Sequence, residues 1–436
     1  MSRVATPRKG GIIYHEAFAF LERCLDSTPD LTSAESLDPE STGILTPTKI
    51  STLMATVKYV DLREVHGRSR GEDATLQECA TFFNRHGIRC SKGDVSLSIN
   101  ILSALEHVYR KLHLSETNKI IVPTPTFGYY FKQFQDNKIG YETLPTNAEN
   151  NFLIDAEALE KMIVKTGAKT LLLCYPNNPT GAVMTEENAR AVAEVVKRHD
   201  VFVISDEAFI NNSLSDKKHF SIAAVEGMLD RSFTVTSAAK SMFIGNKTGF
   251  CVGHPDILSG LEVLGGYPTK HTQKIMSAAI EDSAENAEYL EQCRTFYLRN
   301  IDLIGTKISE LNKKFCDQFS EEKTFVKPFI ARPDAANVYI LDFSGLRGKR
   351  CGDKILNSGL DVAQWLLEDA KVGTVPGECF LFEPETMLVR IALNHAPREL
   401  EMAFNSMIEA TVKIKSPAHP APVSADLVTT EDRSRK

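Results

Sequence analysis

Lys240 is the residue of this sequence with the clearest chemical potential. It ends the small-residue segment 236–240, directly after an apolar stretch. A lysine at the end of a buried strand loses hydration, so its pKa falls toward neutrality and its amine becomes a nucleophile toward carbonyl groups. Taken alone, a solvated loop lysine is the simpler interpretation, so the case for chemistry depends on the residues that the fold brings to Lys240.

The elements that could bring reactive residues to Lys240 alternate along the chain. Four apolar segments have the length of buried strands: 119–122, 170–174, 201–204 and 232–235. Helix-like segments separate them, which predicts a mostly parallel sheet sandwiched by helices. Polar residues and turn formers follow each strand: 123–127, 175–181, 205–209 and 237–240. Because ligands bind such sheets at the carboxyl ends of their strands, we expect these four segments to lie together.

The chemistry that these segments favour is that of pyridoxal phosphate, whose aldehyde would bond to Lys240. Asp206 follows a predicted strand and could keep the ring nitrogen protonated, which makes the ring an electron sink. Asn178 lies in a proline-fixed turn and could donate a hydrogen bond to the ring 3-oxygen, while Phe127 could stack on the ring face. Lys240 and Asp206 are therefore the predicted catalytic residues.

The cofactor phosphate and a substrate carboxylate require partners of other types. Ser237 and Lys247 could bind the phosphate through a hydroxyl and a cation. Asn100 and Ile101 lie where a helix is predicted to begin, so their backbone N–H groups could also bind it. Arg390 could hold the carboxylate of a substrate through two parallel hydrogen bonds.

These residues occur in motifs that resemble the fold-type I pyridoxal-phosphate enzymes of the class I/II aminotransferase family. The matching motifs appear in the order typical of the family: Pro-Thr-Pro-Thr-Phe at 123–127, Asn-Asn-Pro-Thr-Gly at 177–181, Ser-Asp-Glu-Ala-Phe at 205–209, Ser-Ala-Ala-Lys at 237–240, Pro-Gly-Glu-Cys-Phe at 376–380 and the Arg390 segment. The resemblance covers residues 60–412, nearly all of the predicted globular part.

The resemblance implies a fold, a reaction and an assembly. The expected fold is α/β, with a large pyridoxal-phosphate-binding domain and a smaller α+β domain built from the N- and C-terminal segments. The expected reaction transfers an amino group from an α-amino acid to a 2-oxo acid, with Lys240 forming the Schiff base to pyridoxal 5'-phosphate. Arg390 and Asn178 are the expected substrate-binding residues. The expected assembly is a homodimer with shared active sites.

The sequence departs from the family pattern at four places. Phe209 is also expected among the cofactor-binding residues, but it stands where the family usually has a tyrosine whose hydroxyl donates to the cofactor 3-oxygen. Lys247 replaces an arginine, and the loop before it is one residue short. The phosphate-binding segment 99–103 is unusually apolar. His66 replaces a tyrosine that reaches the partner subunit's phosphate, which makes His66 either a substrate-binding, acid–base residue or a purely structural histidine.

These departures leave two further hypotheses open. The first is a specialised pyridoxal-phosphate lyase, cyclase, replacement or oxidase enzyme of amino-acid or secondary metabolism, because the same carbanion serves those reactions and a fold does not fix its chemistry. The second is a non-catalytic transcription regulator, which is disfavoured because the 60 residues before the predicted sheet contain no basic recognition helix. Further candidates for the substrate pocket are Tyr14, Tyr129, Tyr130, His271 and Asn337.

Composition limits the class of protein. The chain has 436 residues, of which 42% are hydrophobic and 25% charged, and a formal net charge of -7. The acidic balance argues against binding to nucleic acid or to an anionic membrane, and no apolar run is long enough to cross a bilayer. Nine cysteines lack paired or metal-binding spacing, and no metal site is predicted. Together with the absence of a secretory segment, this predicts a cytoplasmic protein with reduced thiols.

The predicted domain layout follows the change in pattern near residue 300. It comprises a disordered N-terminus at 1–10, an arm at 11–60 that joins the small domain, the large domain at 61–300, the small domain at 301–412 and a disordered tail at 413–436.

Overall fold

The computed structural model describes residues 9–24, 31–32, 39–56, 70–245 and 247–416. Its helices are α1 (Lys9–Cys24), α2 (Pro39–Thr42), α3 (Thr48–Ala55), α4 (Asp73–Arg85), α5 (Ile101–Lys111), α6 (Tyr129–Asp136), α7 (Ala156–Thr166), α8 (Glu186–Arg198), α9 (Ala238–Ser241), α10 (Pro255–Leu258), α11 (Leu261–Gly265), α12 (Lys270–Ile280), α13 (Ala284–Phe319), α14 (Gly359–Asp369) and α15 (Pro397–Ala410).

The strands of the same residues form three sheets. They are β1 (Val95–Ser98), β2 (Ile120–Thr124), β3 (Tyr141–Pro145), β4 (Thr170–Cys174), β5 (Phe202–Asp206), β6 (Ser232–Ser237), β7 (Gly249–Gly253), β8 (Lys327–Pro328), β9 (Val338–Asp342), β10 (Arg350–Cys351), β11 (Lys354–Ile355), β12 (Val375–Pro376), β13 (Leu388–Ala392) and β14 (Ile414–Lys415).

The largest sheet has seven strands in the order β1-β7-β6-β5-β4-β2-β3. Strands β6, β5, β4, β2 and β3 pair in parallel, whereas β7 runs antiparallel to both of its neighbours. Strands β4 and β6 are buried along their whole length, as expected for a sheet that is covered on both faces. The prediction of a mostly parallel α/β sheet is confirmed.

Three strands of this sheet, β1, β3 and β7, lie outside the four predicted apolar segments. Strand β1 alternates apolar residues with serine. Strand β3 forms an edge and has only one buried residue, Leu144, so its sequence carries no apolar run. Strand β7 is buried but contains Gly249 and Gly253, which lower its strand propensity. A Cβ on Gly249 would lie 2.5 Å from the Ser98 hydroxyl oxygen, so only glycine allows the close approach of β7 to the end of β1.

The C-terminal part of the chain adds two smaller sheets. Strands β12-β13-β9-β8 form one, strands β11-β10-β14 the other, and helices α13, α14 and α15 pack with them. The described N-terminal residues also reach this part. The backbone N–H of Leu31 donates to the carbonyl oxygen of Gly373 at 3.0 Å, and the carbonyl oxygen of Leu31 accepts from Ala392 at 2.9 Å. Residues near the N-terminus therefore lie beside β13, which carries Arg390.

Local sequence signals explain where several helices begin. Thr185 caps α8 by accepting a hydrogen bond from the Asn188 backbone, and Glu186 and Glu187 complement the helix dipole in the first turn. Helix α4 runs from Asp73 to Arg85, and these two residues complement the helix dipole in its first and last turns. Within the described residues, no helix is both long and apolar enough to cross a membrane.

Candidate functional site

The carboxyl ends of four neighbouring strands meet at one edge of the large sheet. Strand β5 ends at Asp206, which lies opposite Cys174 of β4 and Val235 of β6. Helix α9 begins directly after β6 and contains Lys240. Burial raises the pKa of Asp206, and electrostatic attraction to Lys240 partly opposes this rise. The structure therefore brings the two predicted catalytic residues to the same edge.

Asp206 is a buried carboxyl group with its own hydrogen-bond donors. Only 4% of the residue is exposed. Its oxygens accept from the Tyr130 hydroxyl at 2.6 Å and from the Ala208 backbone at 3.0 Å. Burial raises the pKa of Asp206 to about 6, against the opposing effects of these two hydrogen bonds and of Lys240. A buried carboxylate of this kind gains stability from any cation placed beside it.

Tyr130 contacts the predicted catalytic Asp206, whereas the sequence indicated it only as a candidate for the substrate pocket. It is fully buried in α6, just after the proline-rich segment that follows β2. The Phe127 ring packs edge-on against it, with 5.4 Å between the ring centroids. A buried tyrosine hydroxyl requires a hydrogen-bond partner. That requirement predicts a hydrogen bond for Tyr130 but does not identify Asp206 as the acceptor.

Replacing Tyr130 by phenylalanine should raise the pKa of Asp206, because one of the hydrogen bonds that favour the ionised carboxylate is lost. We expect the acid limb of the rate profile to move to higher pH and activity at neutral pH to fall by about tenfold. The measurement is the pH dependence of kcat/KM. Tyr109→Phe is the matched control, since Tyr109 is equally buried and its hydroxyl has no hydrogen-bond partner among the described residues. Identical profiles for both variants would contradict the role of Tyr130.

Asn178 and Arg390 form a second cluster at the same edge. Both are buried, with 6% and 7% of the residue exposed. One guanidinium nitrogen of Arg390 donates to the Asn178 side-chain oxygen at 3.4 Å, and another donates to the Thr32 carbonyl oxygen. The guanidinium also lies 5.3 Å from the centre of the Phe380 ring. Because the Asn178 oxygen accepts from Arg390, its amide N–H₂ is the end that can donate to a bound molecule.

The start of α5 supplies a possible phosphate site. The Asn100 side-chain oxygen accepts from the Ser103 backbone at 2.8 Å and so caps the helix, and the Ser98 hydroxyl donates to the Asn100 carbonyl oxygen at 2.8 Å. These side chains are therefore used locally. The first backbone N–H groups of an α-helix, here beginning with Ile101, have no acceptor within the helix and can bind an anion.

Ser237 and Lys247 flank this region from the neighbouring strands. Ser237 ends β6 and is 4% exposed. Lys247 is exposed and lies two residues before Gly249, whose backbone approaches Ser98 and Asn100. Both residues are thus placed on the side of the sheet edge where α5 begins.

Of the departures from the family pattern, the structure describes the surroundings of Phe209 but not those of His66. Phe209 is 3% exposed and packs in an apolar cluster with Ala336, Val338 and Ala392, so the ring is a core residue and supplies no hydrogen-bond donor. His66 lies outside the described residues.

Among the residues that the structure describes, no group of histidine, cysteine, aspartate or glutamate side chains could hold a metal ion.

A sequence model of one protein family matches most of the chain. The family described as "Aminotransferase class I and II" matches residues 61–407. The chain belongs to this family. The predictions of the family, of a pyridoxal-phosphate-dependent transferase and of the cofactor are thereby confirmed. The lyase-type alternative gains no support from this match.

Similar proteins agree with the family assignment. The aspartate aminotransferase of Bacillus subtilis is 28% identical over 273 residues, which cover 61% of this chain and 64% of that protein. The match thus spans less than two thirds of the Bacillus protein. The aspartate aminotransferase of Musicola paradisiaca is 26% identical over 350 residues, which cover 78% of this chain and 80% of that protein.

Solved structures show the same fold. The aspartate aminotransferase of Thermus thermophilus with maleate superposes with a TM-score of 0.72 at 21% identity, covering 94% of this chain and 100% of that chain. The aromatic aminotransferase of Pyrococcus horikoshii has a TM-score of 0.73 at 22% identity, covering 90% and 99%. At such identities the likeness concerns the fold alone, and the α/β architecture of the family is confirmed.

Proposed function

We propose that this family member transfers the amino group of an α-amino acid to a 2-oxo acid, with pyridoxal phosphate attached to Lys240. The observation that carries the proposal is the position of Lys240 in the helix that directly follows β6, at the sheet edge where the neighbouring β5 ends with the buried Asp206 and where Arg390 contacts Asn178. A lysine amine, an anion for the ring nitrogen and a cation for a substrate carboxylate are the groups that transamination requires.

The donor set of the site fits the cofactor. Asp206 is a buried anion that a protonated ring nitrogen would stabilise, and its pKa of about 6 leaves it ionised at neutral pH. The N-terminus of α5, Ser237 and Lys247 offer N–H, hydroxyl and cationic partners for the phosphate. When bound, pyridoxal phosphate supplies a ring that withdraws electrons from the substrate Cα.

The side chains of the chain then have separate tasks. Arg390 binds the α-carboxylate and so orients the Cα–H bond of the substrate. Lys240 would hold the cofactor, and its Nζ atom, as a neutral amine, would carry the proton from the substrate Cα. Asn178 and Phe127 would hold the ring in place, and Asp206 would keep the ring nitrogen protonated.

Replacing Arg390 by leucine should raise KM for the amino acid by about 10- to 100-fold, because a charge-assisted hydrogen bond to the carboxylate is lost. Arg390→Lys should fall between wild type and Arg390→Leu, since lysine keeps the charge but lacks the fork. Steady-state kinetics would measure both constants. Arg332→Leu is the control, as Arg332 is exposed and pairs with Asp302. An unchanged KM in Arg390→Leu would remove Arg390 from the substrate site.

The type of reaction can be tested with a panel of amino acids that includes aspartate, glutamate and the aromatic residues. Transamination converts the cofactor to pyridoxamine phosphate and releases one 2-oxo acid for each amino acid consumed. Release of ammonia or of a neutral leaving group, without pyridoxamine phosphate, would instead establish the lyase-type alternative. Phe209 is the departure that motivates this alternative, because its ring lacks the hydroxyl donor of the family's tyrosine.

We further propose a homodimer with shared active sites, a cytoplasmic location and the division into a large domain at 61–300 and a small domain at 301–412. Family resemblance supports the dimer, and His66 is proposed to contribute to the site there. Light scattering of the active, cofactor-bound enzyme should give twice the mass of one chain. A monomeric mass with full activity would overturn the shared site.

A further inference from the structure

We propose that Asn212 is a positioning residue that holds Lys240 in place. Its side-chain N–H₂ donates to the backbone carbonyl oxygen of Lys240 at 2.9 Å, and only 4% of the residue is exposed. This proposal rests on the proposed function, because it assumes that Lys240 is the residue that binds the cofactor.

The need for such a contact follows from the length of α9. The helix has four residues, so it ends within one turn of its start. The last carbonyl groups of a helix have no partner within it and require one from elsewhere. The carbonyl oxygens of Ser237 and Ala238 accept from Ser241 and Met242, at 2.8 Å and 3.0 Å. The carbonyl of Lys240 is held from outside the helix, by Asn212.

Asn212 is itself fixed by its backbone. Its N–H donates to the Phe209 carbonyl oxygen at 2.8 Å, and its own carbonyl accepts from Ala336 at 2.9 Å. The neighbouring Ala335 donates to Gly181 at 2.9 Å. Asn212 thus joins the Lys240 backbone to the turn that also carries Asn178. A side chain anchored on both sides can hold the lysine backbone at a constant position.

The segment that ends at Asn212 begins at Asp206. Next to Asp206, the fully buried Glu207 accepts hydrogen bonds from Ser205 at 2.9 Å and Ser221 at 2.7 Å. The segment is therefore fixed at both ends. One rigid stretch of chain carries the proposed partner of the ring nitrogen and the residue that holds the lysine.

Asn211 adds a contact to Met242, two residues after Lys240. Its side-chain nitrogen lies 3.2 Å from the sulfur of Met242, which is 2% exposed. Sulfur is a weak acceptor, so we assign the main positioning role to Asn212. The two consecutive asparagines contact residue 240 and the residue two places after it.

A double-mutant cycle on full-length protein tests the proposal, with the dissociation constant of pyridoxal phosphate as the readout. Asn212→Leu removes the donor while keeping a similar volume, and we expect about three- to tenfold weaker cofactor binding. In a Lys240→Ala background the same change should have no effect, because Asn212 then has no reactive side chain to position. Asn212→Ala provides a second variant in case leucine is not accommodated.

Asn188→Leu is the matched control. Asn188 also donates to one backbone carbonyl, that of Ile154 at 2.7 Å, and like Asn212 its side-chain oxygen has no hydrogen-bond partner among the described residues. It should leave the dissociation constant unchanged in both backgrounds. Equal weakening by Asn212→Leu with and without Lys240, or no weakening at all, would overturn the positioning role.

The same measurements distinguish failure of the positioning role of Asn212 from failure of the proposed function. If Lys240→Ala binds pyridoxal phosphate as tightly as wild type, with an unchanged visible absorbance band, then Lys240 is not the attachment site. If Lys240→Ala loses the band but Asn212→Leu behaves like Asn188→Leu, only the role of Asn212 is lost.

Discussion

Replacing Lys240 by alanine is expected to lower amino-acid turnover by about 10⁴-fold or more. The variant loses both the covalent attachment of the cofactor and the amine that moves the Cα proton, and general base catalysis alone contributes about 10²- to 10⁴-fold. The measurement is kcat/KM with excess pyridoxal phosphate, alongside the visible absorbance of the purified protein. The visible band should disappear with the activity.

A buried lysine elsewhere in the chain provides the control for this change. Lys349 is 6% exposed, and its ammonium group donates to Glu321 at 2.6 Å and lies 3.9 Å from the centre of the Phe319 ring. Lys349→Ala should destabilise the protein but keep the absorbance band and the turnover number. Comparable loss of activity in the two variants would mean that Lys240 matters for folding rather than for chemistry.

Replacing Asp206 by asparagine is expected to have two opposite effects. Turnover should fall by about 10²- to 10³-fold, because the neutral amide no longer stabilises charge on the protonated ring. Without cofactor, the variant should be more stable than wild type above pH 6, because the wild-type protein must keep a carboxylate ionised in a buried position. Kinetics of the holoenzyme and urea unfolding of the cofactor-free protein measure the two effects.

The pH window of the second effect follows from the direction of the pKa shift. Burial raises the pKa of Asp206 from 3.8 to about 6 in the folded protein. The folded state is thus favoured at low pH, and this contribution is lost as the pH rises through the folded pKa of about 6. The gain in unfolding free energy for Asp206→Asn should be on the order of 3 kcal/mol at pH 8, about half of that at pH 5, and close to zero at about pH 3, below the unfolded pKa.

Two comparisons keep this prediction specific. Asp342→Asn is the control, because Asp342 is 9% exposed and lies in the C-terminal sheet. Bound pyridoxal phosphate should remove the stability gain of Asp206→Asn, since the ring cation offsets the cost of the buried carboxylate. A variant that is less stable than wild type at pH 8 without cofactor would show that Asp206 is a structural residue.

The sequence was sufficient to predict those parts of the fold that depend on local patterns. Buried strands such as β4 consist of continuous apolar residues, and α8 combines apolar periodicity with a capping threonine. The edge strand β3 could not be predicted in this way, because only one of its residues is buried. Helix α13 runs from Ala284 to Phe319, and apolar periodicity does not indicate where it begins, because its first turns are rich in charge.

Motif order placed Lys240, Asp206 and Arg390 in one site because each follows or lies within a strand. Contacts between distant segments had no such signal. The hydrogen bond from Tyr130 to Asp206 joins residues 76 positions apart, and the bond from Arg390 to Thr32 joins residues 358 apart. These pairs depend on how the sheets and helices pack, which a local pattern does not specify.

Borohydride reduction of the purified holoenzyme, followed by digestion and peptide mass spectrometry, tests the central claim most directly. Reduction fixes pyridoxal phosphate to the lysine that carries it. We predict that the reduced cofactor is found on the peptide containing Lys240, in an amount equal to the fraction of enzyme that shows the visible band. Labelling of a different lysine, or a visible band that persists without any labelled lysine, would contradict the account.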